Sequence, residues 1–379
     1  MSKTGVYVHI PFCARKCTYC DFCTLEVDDF AIERYHYALK REIELYRPSG
    51  RIDTLYFGGG SPSIYPSSLL RDLIEKLKES LPLDLKEATI ESNPWELTVD
   101  RLRSWQKLGF NRLSIGVQST DRDIMRVCNR PFPDDLVERL TRAVEIFDNV
   151  NFDFILGLPG ENRINVENSL KLIETLKPEH ISYYMFDSDH ETGLMTAVKN
   201  AIIELPDSGL IDELYNTIVK SLKRLGYERY EVSSWSNGRP SLHNLKYWEN
   251  SDYIGLGLSA GGHLGFTRYV NSEDFDLYCA AVNEGKKPLG YVRENSMVQE
   301  LFETLFMGLR LTRGLDLSKE VYPAELLEVV LDKIVSRNYK YVEREGSALR
   351  LNARGFEMSR SFFEELIDIK EEIESAVSS

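Results

Sequence analysis

The chain has 379 residues, which is too long for one ordinary hydrophobic core and predicts about two domains. Its 60 acidic and 46 basic residues give a formal net charge of −14, which argues against general binding to nucleic acid or anionic lipid. No signal-peptide pattern and no apolar stretch of roughly 18 residues is present, so we expect a cytoplasmic protein without a transmembrane helix. Peripheral membrane contact and a homodimer stay open.

In the first two thirds of the chain, short β-branched or aromatic runs alternate with amphipathic runs. The first kind predicts strands at residues 6–10, 54–57, 88–91, 112–117, 152–156 and 180–186, and a further one near 227–233. The second kind predicts helices at residues 30–46, 67–80, 99–108, 133–146 and 165–176. This alternation predicts an α/β fold with a parallel sheet, and six βα units favour a partial TIM-like barrel over an open doubly wound sheet.

The pattern changes after about residue 236. Residues 237–269 are rich in Gly, Ser, Asn and aromatic residues, which predicts an irregular segment. Helical patterns return at 298–311, 323–337 and 354–373, with a hairpin-like stretch at 341–351. We therefore expect a barrel at 1–236, a connecting segment at 237–290, and a smaller C-terminal α+β domain, helical and winged-helix-like, at 291–379.

Four of the six cysteines lie between residues 13 and 23, which in an unexported chain indicates a metal or redox site. Cys13, Cys17 and Cys20 have the spacing C-x3-C-x2-C. Three thiolates from one loop can bind three irons of a cubane cluster and leave the fourth iron open to another ligand. A zinc site is the alternative, but zinc prefers four protein ligands. Cys23 is a candidate fourth ligand.

Other polar residues and glycines fall at or near the predicted strand ends, where parallel α/β folds place their sites. Gly59 and Gly60 allow the backbone, with the Ser61 amide, to approach a ligand closely. Glu91 and Asp153 suit hydrogen bonds from ribose hydroxyls or an ammonium group. The remaining candidates are Tyr7, Gln118, with a donor and an acceptor, and Arg130, which can form a forked pair with a carboxylate.

The cysteine loop, with Tyr19 before its third cysteine, resembles that of the radical S-adenosylmethionine superfamily. Six further motifs occur in order: YVHIPFC from residue 7, FGGGSPS from 57, IESNP from 90, LSIGVQS from 113, CNRP from 128 and DFILGLPGE from 153. They resemble the anaerobic coproporphyrinogen III oxidases and the haem chaperones related to them, over nearly the whole chain.

This resemblance implies a [4Fe–4S] cluster on Cys13, Cys17 and Cys20, with S-adenosylmethionine on the open iron. In the family, an electron from the cluster cleaves the sulfonium to a 5′-deoxyadenosyl radical, so the cofactor carries the chemistry. The resemblance assigns cofactor contacts to Tyr7, Gly59, Gly60, Ser61, Glu91, Gln118, Arg130 and Asp153.

Three features favour the chaperone branch over the oxidase. Cys20 opens a CDF run rather than C-x-C, although Cys23 fits neither pattern. The run from His243 to Trp248 matches the chaperone motif H-N-x-x-Y-W, in which an imidazole among aromatics suits haem. The YVHIPFC run also starts at Tyr7, without the oxidase's N-terminal extension. The stretch MFDSDHETGLM lacks the usual proline, which puts the geometry after strand six in doubt.

We therefore predict a chaperone that binds haem, with His243 as a candidate contact, and passes it to an acceptor protein. The acceptor and the electron donor cannot be named from the sequence. The alternative is oxidative decarboxylation of coproporphyrinogen III, and whether the chain is an enzyme stays open.

Overall fold

The structure, a computed structural model, describes residues 3–48, 50–319 and 322–377. The strands are β1 (Lys3–Ile10), β2 (Phe12–Cys13), β3 (Leu25–Glu26), β4 (Arg51–Gly59), β5 (Leu83–Ser92), β6 (Arg112–Gln118), β7 (Val150–Leu156), β8 (His180–Met185), β9 (Glu228–Arg229), β10 (Ser234–Ser236), β11 (Tyr253–Leu256), β12 (Gly261–Leu264), β13 (Thr267–Asn271), β14 (Leu289–Glu294), β15 (Leu315–Asp316), β16 (Val342–Glu345) and β17 (Ala348–Leu351).

The helices are α1 (Asp29–Ile43), α2 (Ser67–Ser80), α3 (Val99–Leu108), α4 (Arg122–Val127), α5 (Leu136–Ile146), α6 (Arg163–Leu176), α7 (Gly193–Lys199), α8 (Ser208–Arg224), α9 (Leu242–Trp248), α10 (Phe275–Asn283), α11 (Met297–Gly308), α12 (Ala324–Asn338), α13 (Ala353–Glu357) and α14 (Ser359–Val377). Short 3₁₀ turns lie at Pro62–Ile64, Pro94–Glu96 and Leu317–Lys319. Among these helices, none is both long and apolar enough to cross a membrane.

One large sheet forms the barrel wall, in the order β14-β13-β12-β11-β1-β4-β5-β6-β7-β8-β10-β9. Strands β1 and β4 to β8 run parallel, and at least one helix lies between each of them and the next. Antiparallel strands extend the sheet beyond β8 and beyond β11. The predicted α/β class, a partial TIM-like barrel of six βα units with a smaller C-terminal domain, is confirmed.

The barrel strands alternate between an apolar outer face and a polar inner face. On β6, Leu113 and Ile115 are fully buried in the core that the outer helices share. The intervening Ser114, Gly116 and Gln118 face a cavity inside the barrel. Because side chains alternate along a strand, each parallel strand contributes to the helix-packed core and to the interior at once.

Local capping explains why helix boundaries could be predicted closely. Helix α3 begins after Thr98, whose hydroxyl accepts a hydrogen bond from the Arg101 amide, and it ends at Gly109 with φ +102°. A threonine is a usual residue at the start of a helix, and a glycine in the left-handed region is a usual residue at its end. The predicted range 99–108 is confirmed, and so is 67–80.

The prediction of an irregular segment at 237–269 is wrong. That stretch contains α9 and β11 to β13, and β11 pairs in parallel with β1. The glycines that suggested a loop permit close packing here, because a Cβ on Gly262 would lie 2.1 Å from the Tyr269 ring. The strand predicted near 227–233 is shorter than expected, since only Glu228–Arg229 is a strand there.

A second hydrophobic core lies in the C-terminal part of the chain. Leu301 and Leu305 of α11, Ile334 of α12 and Leu366 of α14 are fully buried in it. A small antiparallel sheet in the order β15-β17-β16 packs with these helices. The division into three parts at residues 236 and 290 stays a prediction. In the structure, β11 to β14 belong to the same sheet as the barrel strands.

Candidate functional site

A cavity of about 450 Å³ lies at the carboxyl ends of the parallel strands. The loop after β2 supplies one wall, and the ends of β4 to β8 supply the rest. The predicted site residues that line it are Cys13, Cys17, Cys20, Gly59, Gly60, Ser61, Glu91, Gln118, Arg130 and Asp153. Parallel strands end at the same edge of the sheet, so residues far apart in sequence meet here.

The cysteine loop is held in place by backbone hydrogen bonds to two helices. The Thr18 amide donates to the carbonyl of Cys128, at the end of α4, over 3.0 Å. The amide of Leu194, in α7, donates to the Thr18 carbonyl over 2.7 Å. Burial raises the pKa of the Cys13 thiol to about 11 and also raises that of Cys20. Thiolates at these positions therefore need a bound cation to stabilise them.

The donor set fits an iron–sulfur cluster. Cys13, Cys17 and Cys20 all face the cavity, each thiol able to bind a different iron. Within residues 3–48, 50–319 and 322–377, no three His, Cys, Asp or Glu side chains meet closely enough to hold a single metal ion. Cys23 does not line the cavity, and its Sγ lies 3.9 Å from the carbonyl oxygen of Glu273.

Glu91 ends β5 and projects into the cavity. Its Oε1 accepts a hydrogen bond of 2.6 Å from the Tyr56 hydroxyl, and its Oε2 accepts one of 3.3 Å from the Gly59 amide. Burial raises the pKa of Glu91 to about 7, although these two hydrogen bonds act to lower it. The carboxyl group therefore has a pKa near neutral pH, unlike an exposed glutamate.

Asp153, in the middle of β7, is the second cavity carboxylate. Ser114 donates to its Oδ2 over 2.9 Å, and the Asn151 side chain donates to its Oδ1 over 2.7 Å. Asn151 Oδ1 lies 2.6 Å from His180 Nδ1, and His180 Nε2 lies 2.8 Å from the Tyr230 hydroxyl. Burial raises the pKa of Asp153. This hydrogen-bonded chain, which we call the floor network, continues from the cavity into the barrel.

Arg130 connects the cysteine loop with the strand ends. Its Nη1 lies 3.5 Å from Cys17 Sγ, and its Nη2 donates to Asn93 Oδ1 over 2.7 Å. Its guanidinium stacks 4.8 Å from the centre of the Trp95 ring. A Cβ on Gly116 would lie 2.8 Å from Nη2, so a larger residue there would displace the guanidinium group. Arg130 is therefore a fixed positive charge beside the thiols.

Gln118 has a backbone conformation and a side chain that suggest a binding role. Its φ is +65°, a left-handed value that a residue with a side chain adopts at a cost. Its Oε1 is buried and has no hydrogen-bond partner among the residues that the structure describes. Because a buried oxygen without a partner is costly, this atom is placed to accept a hydrogen bond from a ligand.

The backbone amides of the glycine loop are not available to a ligand, contrary to the sequence prediction for this loop. The Gly60 amide donates to the Ile10 carbonyl and the Ser61 amide to the Phe12 carbonyl, both over 2.8 Å. The Gly59 amide donates to Glu91. The glycines are needed for close packing, because a Cβ on Gly60 would lie 2.7 Å from the Phe12 carbonyl oxygen.

Comparison with known proteins gives a consistent family. The model of the radical SAM superfamily matches residues 7–173. A protein of Bacillus subtilis named heme chaperone HemW is 32% identical, over 82% of this chain and 84% of its own. A Lactococcus lactis protein of the same name is 29% identical over 96% and 97%. This chain belongs to the HemW family.

The fold of this HemW-family chain also resembles a solved structure. Coproporphyrinogen III oxidase (HemN) from Escherichia coli, described as a radical SAM enzyme, superposes with a TM-score of 0.82. The match covers 97% of this chain and 90% of the other at 23% identity. At that identity the likeness establishes the shared fold alone.

Two predicted site residues of this HemW-family chain lie outside the cavity lining. The Tyr7 hydroxyl bonds His9 Nδ1 at 3.0 Å. His243, in α9, is fully buried, with Nδ1 2.9 Å from the Thr54 hydroxyl and Nε2 2.9 Å from the Tyr247 hydroxyl. Burial lowers the pKa of His243 to about 3, so its imidazole is neutral. Both ring nitrogens are occupied, which is the pattern of a structural histidine.

The motif that contains His243 supports the cavity from below. The His243 ring stacks on Tyr56, with centres 5.2 Å apart, and Tyr56 holds Glu91. Helix α9 is fixed by Glu87, whose Oε1 accepts from the His243 amide over 2.9 Å, and by an ion pair of 2.7 Å between Lys246 and Asp53.

Sequence analysis did not identify Tyr56, Asn93, Trp95 and Ser114 as site residues. Tyr56 could have been found, because it stands two residues before Gly58 on β4 and therefore shares its inward face. Ser114 likewise stands two and four residues before Gly116 and Gln118 on β6. Asn93 and Trp95 belong to the site because the Arg130 side chain contacts both of them across the edge of the sheet. Nothing in their own sequence neighbourhood indicates that contact.

Proposed function

We propose that this chain is a haem chaperone that holds a [4Fe–4S] cluster and S-adenosylmethionine in the strand-end cavity. The observation that carries the proposal is the convergence of three loop thiols, an unpartnered Gln118 oxygen and two half-buried carboxylates on one cavity, in a member of the HemW family. The haem function follows the name of the relatives. A cytoplasmic location and transfer to an acceptor protein belong to the same proposal.

The chain's own residues divide the work within the cavity. Cys13, Cys17 and Cys20 would hold the cluster, which when bound supplies the electron for cofactor cleavage. Arg130, fixed beside Cys17, would stabilise thiolate charge and pair with the cofactor carboxylate. The remaining cofactor contacts are Glu91 and Asp153 for hydroxyl or ammonium groups, Gln118 for a donor, and Gly59, Gly60 and Ser61 through carbonyl or hydroxyl oxygens.

Tyr7 and His243 enter the proposal differently. Tyr7 would act on the cofactor through its neighbours, since its hydroxyl is bonded to His9. The prediction that His243 contacts haem requires both of its side-chain hydrogen bonds to break, because Thr54 and Tyr247 occupy its two nitrogens. The electron donor, homodimer formation and membrane contact have no assigned surface.

The test is a paired titration of anaerobically reconstituted protein with ferric haem and with S-adenosylmethionine. We expect the wild-type protein to bind both. Cys17→Ala is the control, and it should lose the cluster and the cofactor while it remains folded. A wild-type protein that holds no cluster, or that binds no haem, would contradict the proposal.

The oxidase alternative is separated by one assay. Reconstituted protein is incubated anaerobically with coproporphyrinogen III, a reductant and S-adenosylmethionine. We expect no protoporphyrinogen IX. Its formation would replace the chaperone proposal with oxidative decarboxylation.

A further inference from the structure

The six histidines of the chain differ sharply in exposure. His9, His36, His180, His243 and His263 are all buried. His190 is exposed, with 56% of its side chain accessible to solvent. It is therefore the imidazole in this chain that an external ligand can reach without a rearrangement of the fold.

His190 lies at the mouth of the cavity that holds the cysteine loop. It belongs to the loop between β8 and α7, and it lines the cavity together with Asp21, next to Cys20. Its Nδ1 lies 3.6 Å from Asp21 Oδ2, and its Nε2 lies 3.4 Å from Asp187 Oδ2. One carboxylate can retain the ring proton and orient the imidazole while the opposite nitrogen turns to a ligand.

The rim around His190 also carries three exposed apolar or aromatic side chains. Phe22, Tyr184 and Met185 are all exposed, and all three line the cavity. Clustered exposed apolar side chains next to a cavity mark a binding surface rather than ordinary surface composition. Aromatic rings and a thioether are suitable contacts for a flat apolar macrocycle.

Two cations complete the rim. Arg15 and Lys16 belong to the cysteine loop, are exposed and line the same cavity. Asp21 and Asp187 line the same rim, so the two cations stand beside two carboxylates. They can pair with the carboxylates of a ligand that lies across the mouth.

We propose that haem docks across this rim with the His190 imidazole as an axial ligand of its iron. The proposal rests on the proposed haem function and specifies the site. Imidazole is an ordinary axial ligand of haem iron. Phe22, Tyr184 and Met185 contact the macrocycle, and Arg15 and Lys16 pair with its propionates. His243 does not compete for the iron in this conformation, because both its nitrogens are occupied below the cavity.

The experiment is a ferric-haem titration of the reconstituted protein with S-adenosylmethionine present, followed by absorption and electron paramagnetic resonance spectra. We expect His190→Ala to weaken haem binding about tenfold or more and to lose the histidine-ligated spectrum. Added imidazole should restore that spectrum in the haem that stays bound to His190→Ala. His243→Ala serves as the matched control and should keep the histidine-ligated spectrum.

The outcomes separate this inference from the function on which it rests. A wild-type protein that binds no haem overturns both. Wild-type binding with an unchanged affinity and spectrum in His190→Ala overturns the axial-ligand assignment alone. Loss of the ligated spectrum in His243→Ala but not in His190→Ala also overturns it and assigns the iron to the buried motif.

Discussion

The strand-end cavity and the α9 region beneath it both carry motifs of the HemW family, but their polar groups are satisfied differently. In the cavity, Gln118 Oε1 has no hydrogen-bond partner among the described residues, and burial raises the pKa of Glu91 to about 7. Beneath it, His243 has a partner at each ring nitrogen. Unused hydrogen-bonding capacity therefore distinguishes the Gln118 side chain, which can still accept a hydrogen bond from a ligand, from the His243 side chain, which supports the wall.

The largest expected difference is in the cluster. We expect Cys17→Ala to abolish iron incorporation, because two thiols cannot hold a cubane with an open iron. Cys23→Ala should keep its iron, since Cys23 lies outside the cavity lining. Iron and sulfide analysis with the absorption spectrum measures both. A Cys23→Ala protein without iron would show that Cys23 is needed to hold the cluster.

Substitution in the supporting region should act on stability. We expect His243→Ala to lower the free energy of unfolding by about 2–4 kcal/mol, because it leaves a buried cavity and removes partners from Thr54 and Tyr247. Urea denaturation of the cluster-free protein measures this. His190→Ala, at the exposed rim, is the control and should change the value little. Equal losses of unfolding free energy in the two variants would show that His243 does not support the fold more than His190 does.

The cavity should instead respond to pH. Since the pKa of Glu91 is raised to about 7, its carboxylate is mostly ionised at pH 8 and mostly protonated at pH 6. A protonated carboxyl is a poorer acceptor, so affinity for S-adenosylmethionine should fall by about tenfold from pH 8 to pH 6. Anaerobic titration at the two pH values measures it. Glu91→Gln should bind more weakly and lose this dependence, and an unchanged slope would assign the titration to another group.

The smallest effect should come from one hydroxyl. Tyr247→Phe removes the hydrogen bond to His243 Nε2 and leaves the ring in place. We expect a loss of about 1 kcal/mol in unfolding free energy, with haem affinity unchanged. Denaturation and haem titration on the same preparation measure both. A large change in haem affinity would mean that this hydroxyl controls access of haem to His243.

The barrel could be predicted because its signals are local. The ranges of β6 and α3 each depend on neighbours within a few residues, and both ranges were predicted closely. The cysteine loop was equally visible, since its spacing is contained in eight residues. The cavity assignment of Glu91, Gln118 and Asp153 followed from the rule that parallel strands end together.

What could not be predicted depends on contacts between distant parts of the chain. Strand β11 is short and followed by glycines, and it is a strand because it pairs with β1 nearly 250 residues earlier in sequence. The burial of His243 depends on Thr54 and Tyr56, which no spacing within its own motif indicates. The occupied amides of Gly60 and Ser61 likewise depend on β1 and the turn that follows it.

The floor network determines how a molecule can enter and leave the cavity. The hydrogen bonds from Asp153 through Asn151 and His180 to Tyr230 fill the barrel beneath the cavity with fixed side chains. A molecule in the cavity therefore enters and leaves by the mouth at the strand ends. If a macrocycle lies across that mouth, the cofactor below it can exchange only after the macrocycle has departed. The macrocycle, which binds last, would then leave first. The time for which it stays bound at the mouth would set the rate at which the cofactor exchanges.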